Sequence, residues 1–426
     1  MQVSRKRLAL FASVIVSFVF VVGAVGPAFA QFLRGSSPYA TSFTVAQSLQ
    51  NPVVLGYSSG LLFLTQSSAA SGTYTVTLDT LNTATSALTS LSSYTGSGVV
   101  IEFLVSDGAG NVYYDIASAS GEQVEEQAHT SSGFSGATML YQDSICPEGI
   151  INPPSPCPTS NTSGITGMAA DPAGNVYLAL DYPDGSAAIL KISAADTTPT
   201  KVYSIPSGQI TSIVFASGAL CFTSSVTGSG TEQINSLDPR TGNVGVLLSA
   251  SISQYAAGVD YLSASSSSGR DDGRVYYLYR VSRGPTTFAG APSGWPQAEL
   301  VVGGIPTGAA PGPRGPGLPG QLTGQIGSEF FTPPTSVAVF APGQSMLWVN
   351  PSGDLLFVVA PYPSSGVSSG DYTIQRFTSG DSAFSQIVAF PFAANQDGNG
   401  LTFAMDGSGN VYCTTNVGTI MEIEFS

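Results

Sequence analysis

Histidine is nearly missing from this sequence; the single one is His129. Multi-histidine metal centres and the HExxH zinc motif therefore cannot be built. Charge is scarce as well, at 9% of residues, and cations are the scarcer sign. Thirteen Lys and Arg stand against 27 Asp and Glu, giving a formal net charge of −14. Nucleic acid and anionic membrane both require positive protein surface, so neither is an expected partner. Cysteine is limited to four residues. Only one apolar run, Leu8 to Gly26, is long enough to cross a bilayer. Disorder is excluded by composition, because 42% of the chain is hydrophobic.

The apolar run belongs to a leader. Arg5, Lys6 and Arg7 precede it, and Ala28-Phe29-Ala30 follows it with small residues where a signal peptidase reads them. Residues 1–30 are predicted to be a secretory signal, cut between Ala30 and Gln31; an uncleaved anchor is the alternative. Losing the three basic residues takes the formal charge from −14 to −17. A surface of Ser, Thr, Gly and Asn suits a secreted or extracytoplasmic protein, and would also suit acidic surroundings. Outside the cell, Cys146 and Cys157, which bracket "CPEGIINPPSPC", read as a local disulfide. Cys221 and Cys413 sit in apolar strands and read as buried thiols. Asn161-Thr162-Ser163 is a candidate glycosylation site.

What the chain has in abundance is a repeat. "VSDGAGNVYYDIA" from Val105, "DPAGNVYLALDYPDG" from Asp171 and "MDGSGNVYCTTN" from Met405 share one turn. "VNPSGDLLFVVA" from Val349 has its Asn and Asp exchanged. Each turn lies between short β-branched and aromatic runs, and two further strand-like segments follow. Asp107, Asn111, Asp171, Gly174, Asn175, Asp406 and Asn410 are assigned to these turns as structural residues. Units start near Pro52, Gly98, Gly164, Gln209, Ala256, Pro334 and Asn399. The last unit has three strands, and "SFTVAQSL" (42–49) supplies its fourth. The chain is thus predicted to be all-β. After a 31–41 extension, residues 42–426 form one β-propeller of seven four-stranded antiparallel blades, closed by the N-terminal strand, with six or eight blades as the alternative counts.

The Asp-x-x-Gly-Asn-aliphatic-aromatic turn resembles the blade signature of NHL-repeat propellers and their streptogramin-lyase-like and gluconolactonase-like relatives. The resemblance is carried by "DGAGNVYY", "DPAGNVYL" and "DGSGNVYC"; the other units match poorly. It implies a propeller scaffold that serves lyases, lactonases and binding modules alike, so it sets no activity. A lyase of that kind would need a histidine in the central funnel. His129, in "EEQAHTSSG", is expected on a solvated outer strand of the second unit.

Four further features bear on function. The first-to-second strand turns define a bottom face, and long insertions at 143–163 and 303–333 are expected on the opposite, top face. The second is "GGIPTGAAPGPRGPGLPGQLTGQIGSEFF", whose glycines lack the three-residue period of collagen. "GYSSG" (56–60) matches a nucleophile elbow but lies between two strands, so it is read as a hairpin. Glu102, Asp260, Asp397 and Asn399 lie near the starts of inner strands and form the candidate oxygen-donor set for Ca2+; no other cofactor is expected. The leading expectation is an exported, non-catalytic binding or scaffolding module whose top face meets an extracellular protein, glycan or small ligand. The alternatives are an exported lactonase- or lyase-type enzyme with a carboxylate-bound metal, and a self-associating envelope component.

Overall fold

Short runs rich in Val, Ile, Tyr and Phe, punctuated by Gly, Asn and Asp, favour strands joined by tight turns. The computed structural model describes residues 40–70, 73–118, 121–144, 164–229, 231–251, 258–264, 273–285, 296–307, 325–331, 335–337, 347–350, 352–361, 371–378, 385–391, 402–414 and 418–425. Among these, nearly all regular structure is antiparallel sheet, arranged as a β-propeller. No helix among them is long and apolar enough to cross a membrane.

The first blade is Val53–Ser58, Leu61–Ala70, Thr73–Asn82 and Ala87–Gly96. The second is Leu104–Ser106, Val112–Ser118, Gly121–Gln127 and Thr138–Ser144. The third is Gly164–Ala170, Val176–Asp181, Ala187–Ser193 and Asp196–Ile205. The fourth is Gly208–Ala216, Ala219–Val226, Thr231–Leu237 and Val244–Ser251. The fifth is Gly258–Ala264, Arg274–Pro285, Pro296–Pro306 and Gln325–Phe331. A closing blade joins Phe403–Met405, Val411–Thr414 and Ile420–Phe425 to the N-terminal strand Ala40–Ala46. Ala40 pairs with Phe425 and Thr44 with Met421, so the two ends of the chain share one sheet.

The expectation of seven four-stranded blades is corrected: six blades have that form. Between the fifth and closing blades lies a five-stranded sheet. Its first strand is in two pieces, Thr335–Val337 and Leu347–Val349, which pair with opposite ends of Leu355–Pro361. Pro342 and Gly343 fall in the sequence between the pieces, and a proline cannot donate to a ladder.

The core lies between sheets. Val76, Leu78, Tyr114 and Ile116 join the first and second blades; Phe103, Tyr113, Val176 and Leu178 join the second and third. Second strands are covered on both sides by neighbouring blades, and Val112 to Ile116 is buried at every position. That explains why second strands read as continuous apolar runs and do not alternate. First strands of successive blades lie against one another and form the inner ring.

A second correction concerns the 303–333 insertion. Gly303 pairs with Gln325 within one sheet, so this stretch joins the third and fourth strands of the fifth blade. Its strands end on the bottom face, where Thr307 N–H donates to Gly273 O, in the first turn of the same blade. The Gly-rich "GQIGSEFF" masked a genuine strand. The 143–163 insertion does join two blades, and it leaves the second blade on the top face after Ser144. Residues 145–163, and with them Cys146, Cys157 and Asn161, lie outside the described residues, as do Ala30 and Gln31.

Candidate functional site on the inner rim

The bottom turns come in two chemistries. In the third blade Asp171 Oδ1 accepts from the N–H groups of Ala173 and Asn175, at 3.0 and 2.9 Å. Its Oδ2 accepts from Asn175 Nδ2 and Tyr177 Oη, at 2.6 and 3.1 Å. Asp107 receives the same four donors from Ala109, Asn111 (twice) and Tyr113. Asp406 receives them from Ser408, Asn410 (twice) and Tyr412. Gly174 has φ +81°, which an L side chain rarely adopts. The exchanged turn keeps the geometry: Asp354 N–H donates to Asn350 Oδ1. The second chemistry is a two-residue hairpin. Ser59 and Gly60 have φ +53° and +83°, the signs a type I′ turn requires. The "GYSSG" stretch is therefore strand–turn–strand. These turns are fully satisfied and offer little chemistry.

His129 is not on the outer strand, which corrects the sequence reading. It starts a short hairpin, pairing with Phe134, that folds back under the second blade. Its N–H donates to Asn111 Oδ1 and its ring packs on Phe134, which meets Phe63 edge-on. The histidine is exposed and sits on the bottom face.

The opposite end of the first strands is different. Register breaks there leave one extra residue in the first strand of four blades: Leu55, Thr166, Thr211 and Asp260. The second blade carries a fifth. Val100 faces Ala117 and Leu104 faces Tyr114, so three residues oppose two. Asp115 N–H donates to Phe103 O, which leaves Ile101 and Glu102 opposite Ile116; Glu102 stands five residues before Asp107, as the extra Thr166 stands five before Asp171, and is matched to the other bulges on that spacing. Five bulges thus recur at one level of the inner ring, near its top end. A bulge interrupts pairing and re-aims a side chain, and such features gather at barrel rims and binding sites.

What each bulge does with its polar groups differs. Thr166 Oγ1 donates to Ile210 O of the next blade, at 2.6 Å. Thr211 and Thr223 share a hydroxyl hydrogen bond. At Glu102 the support is a carboxylate: the N–H groups of Glu102 and Phe103 both donate to Asp115 Oδ1, at 3.0 and 2.6 Å. Asp115 is only 1% exposed, and its Oδ2 accepts from no donor among the described residues. Burial pushes its carboxyl up to about 8, and the charges of Glu102 and Glu122 add to the rise. Glu122 accepts the Ile165 N–H of the third blade at 2.6 Å. Burial raises it to about 7, with Glu102 and Asp143 pushing the same way. Burial also raises Glu102. Glu122 pairs in register with Asp143, one residue before the strand ends at Ser144 and the 145–163 insertion begins.

Of the candidate calcium set, Glu102 stands at this rim. Asp260 occupies the matching bulge of the fifth blade by register. Asp397 and Asn399 lie outside the described residues. Among the described residues no three His, Cys, Asp or Glu side chains group as metal ligands. Cys221 and Cys413 are buried free thiols, each pushed up to about 12 by burial. Sequence reasoning missed Asp115 and Glu122. One signal was available: after Arg34 no Lys or Arg occurs until Lys191, so the acids of the second blade have no cation nearby in sequence.

Comparison with known proteins locates the fold. No family model and no curated protein matches the chain. Among solved structures it is similar to oligogalacturonate lyase from Vibrio parahaemolyticus. That match has 9% identity and a TM-score of 0.51, over 90% of this chain and 96% of that one. An uncharacterised protein of Listeria monocytogenes matches at 9% identity and TM-score 0.48, covering 88% and 95%. Tricorn protease matches at 10% identity and TM-score 0.49, over 89% of this chain and 34% of that one. At such identity the likeness speaks for the β-propeller fold alone.

Proposed function

We propose that this chain is an exported, non-catalytic binding propeller whose ligand site lies on the top face, over the bulged rim of the inner ring. The observation that carries this reading is the recurrence of bulges at one level, with Leu55, Glu102, Thr166, Thr211 and Asp260 as the extra residues. They leave extra residues of differing chemistry at the same end of the inner ring, where Leu55 packs against the core between the first two blades and Thr166 reaches the third blade's neighbour. The contrast with the saturated bottom turns supports the same face. The lone histidine sits at the other end, beside Asn111, away from the rim.

The test is an array of immobilised glycans and peptides probed with the chain lacking residues 1–30. Binding to a defined subset that Glu102→Gln or Thr211→Val weakens at least tenfold, and Tyr177→Phe leaves unchanged, supports the reading. Binding that responds only to bottom-face changes, or turnover of an arrayed probe, contradicts it. The matching register of Glu102 and Asp260 favours a second reading: an exported lactonase- or lyase-type enzyme holding Ca2+ at these oxygens. A calcium-dependent rise in melting temperature would favour that second reading.

A further inference from the structure

We propose that the top of the second blade, where Glu102, Asp115 and Glu122 meet the third blade, receives a cationic N–H donor group of the ligand, a guanidinium or primary ammonium. This assignment rests on the top-face reading above and gives that site a chemistry.

Asp115 is buried and anchored, since two backbone N–H groups fix its Oδ1. Its Oδ2 has no donor among the described residues. A buried carboxyl oxygen left without a partner forfeits its hydration with nothing in exchange. The bottom-face aspartates, with four donors each, show that this chain can saturate a carboxylate where nothing else must bind.

Electrostatics points the same way. The charges acting on Asp115 are Glu102 and Glu122; those acting on Glu122 are Glu102 and Asp143. All are acids, from the first, second, third and fourth strands of one blade. The third blade contributes the Ile165 N–H. Without a cation the site holds protons instead, which is what the upward pushes to about 8 and about 7 express. An incoming cation must displace them, so binding releases protons and strengthens as pH rises toward about 8.

The kind of cation follows from spacing. A bound Ca2+ needs several oxygens within about 2.3–2.6 Å of one point. The acidic side chains here do not group that way among the described residues. A guanidinium spreads five donors and an ammonium three, each reaching an oxygen at about 2.8 Å, so carboxylates that do not converge can still be bridged. Glu122's partner Asp143 lies one residue before Ser144, where the fourth strand ends, at this same end of the blade.

Thermal melting of the chain lacking residues 1–30 tests the assignment, at pH 5.5 and pH 8. The probes are agmatine, the tripeptide Gly-Arg-Gly and CaCl2. Melting should rise with agmatine or the tripeptide, several-fold more at pH 8 than at pH 5.5, and Asp115→Asn and Glu122→Gln should each abolish the rise. Both variants keep the oxygen that accepts the backbone N–H, so they should fold; native circular dichroism checks this. A larger shift with the tripeptide marks a protein side chain as the natural source, and a larger shift with agmatine marks a free small molecule. A shift with CaCl2 but not agmatine overturns the assignment in favour of a metal. No shift with any probe, or shifts indifferent to both variants, also overturns it. If Glu102→Gln still weakens array binding in that case, the top-face reading survives; if it does not, both fall.

Discussion

Asp171 and Asp115 are the same residue type, both buried, at 7% and 1% exposure, and both accept two backbone N–H groups on Oδ1. They differ at the other oxygen. Asp171 Oδ2 takes an amide and a phenol from its own blade, while Asp115 Oδ2 takes nothing from the described residues. The first is a closed device that sets strand register and repeats in three blades. Among the described residues the second occurs once, among other acids, at the bulged end of the ring. Saturation therefore separates architecture from site more clearly than residue type or burial does.

That contrast can be broken from the bottom face. Asp171→Ala strands four donors and should lower unfolding stability by about 3 kcal/mol, measured by chemical denaturation. Loss below about 1 kcal/mol would mean the turn is not held by its carboxylate. Tyr177→Phe removes one of the four and should cost about 1 kcal/mol. The equivalent change Tyr113→Phe should match it, because Tyr113 Oη bonds Asp107 in the same way. At the small end, Ser59→Asn should gain about 0.5 kcal/mol. Asparagine tolerates the left-handed φ of +53° better than serine does. A loss there would show that Ser59 Oγ, lodged near Gly110 and His129, has a packing role.

The fold was legible because two periods coincide in the sequence. The Asp-x-x-Gly-Asn turn marks the bottom of a blade, and the Tyr two residues past the Asn completes its hydrogen bonding, so one motif encodes turn and second strand together. Blade form failed to read where composition hides pairing: the two-piece strand around Pro342, and "GQIGSEFF", whose glycines suggested a loop. The site was less legible. Glu102 stood out through its place near an inner-strand start, but Asp115 and Glu122 sit within "YYDIAS" and "GEQVEEQ", ordinary strand sequences. Nothing local reveals that Asp115 turns inward to cap a bulge, since register is a property of two strands. The raised carboxyls depend on a neighbouring blade in the same way. The long stretch without Lys or Arg was the one readable trace.

The pH dependence of stability for the unliganded chain, for Asp115→Asn and for Asp171→Asn tests the contrast most directly. A carboxyl held near pH 8 in the folded chain, but near 4 when unfolded, keeps an extra proton in the folded state between those values. Stability from this group is full below about pH 4 and falls as pH rises, by up to about 1.4 kcal/mol per pH unit. Denaturation at pH 5 and pH 8.5 should show that fall in the natural chain and in Asp171→Asn. In Asp115→Asn it should be clearly smaller, the remainder coming from Glu122, which burial also raises, with stability at pH 8.5 above that of the natural chain. Equal pH dependence in all three, with Asp115→Asn destabilised at both pH values, would contradict the claim that Asp115 is an unsaturated acid kept for a ligand.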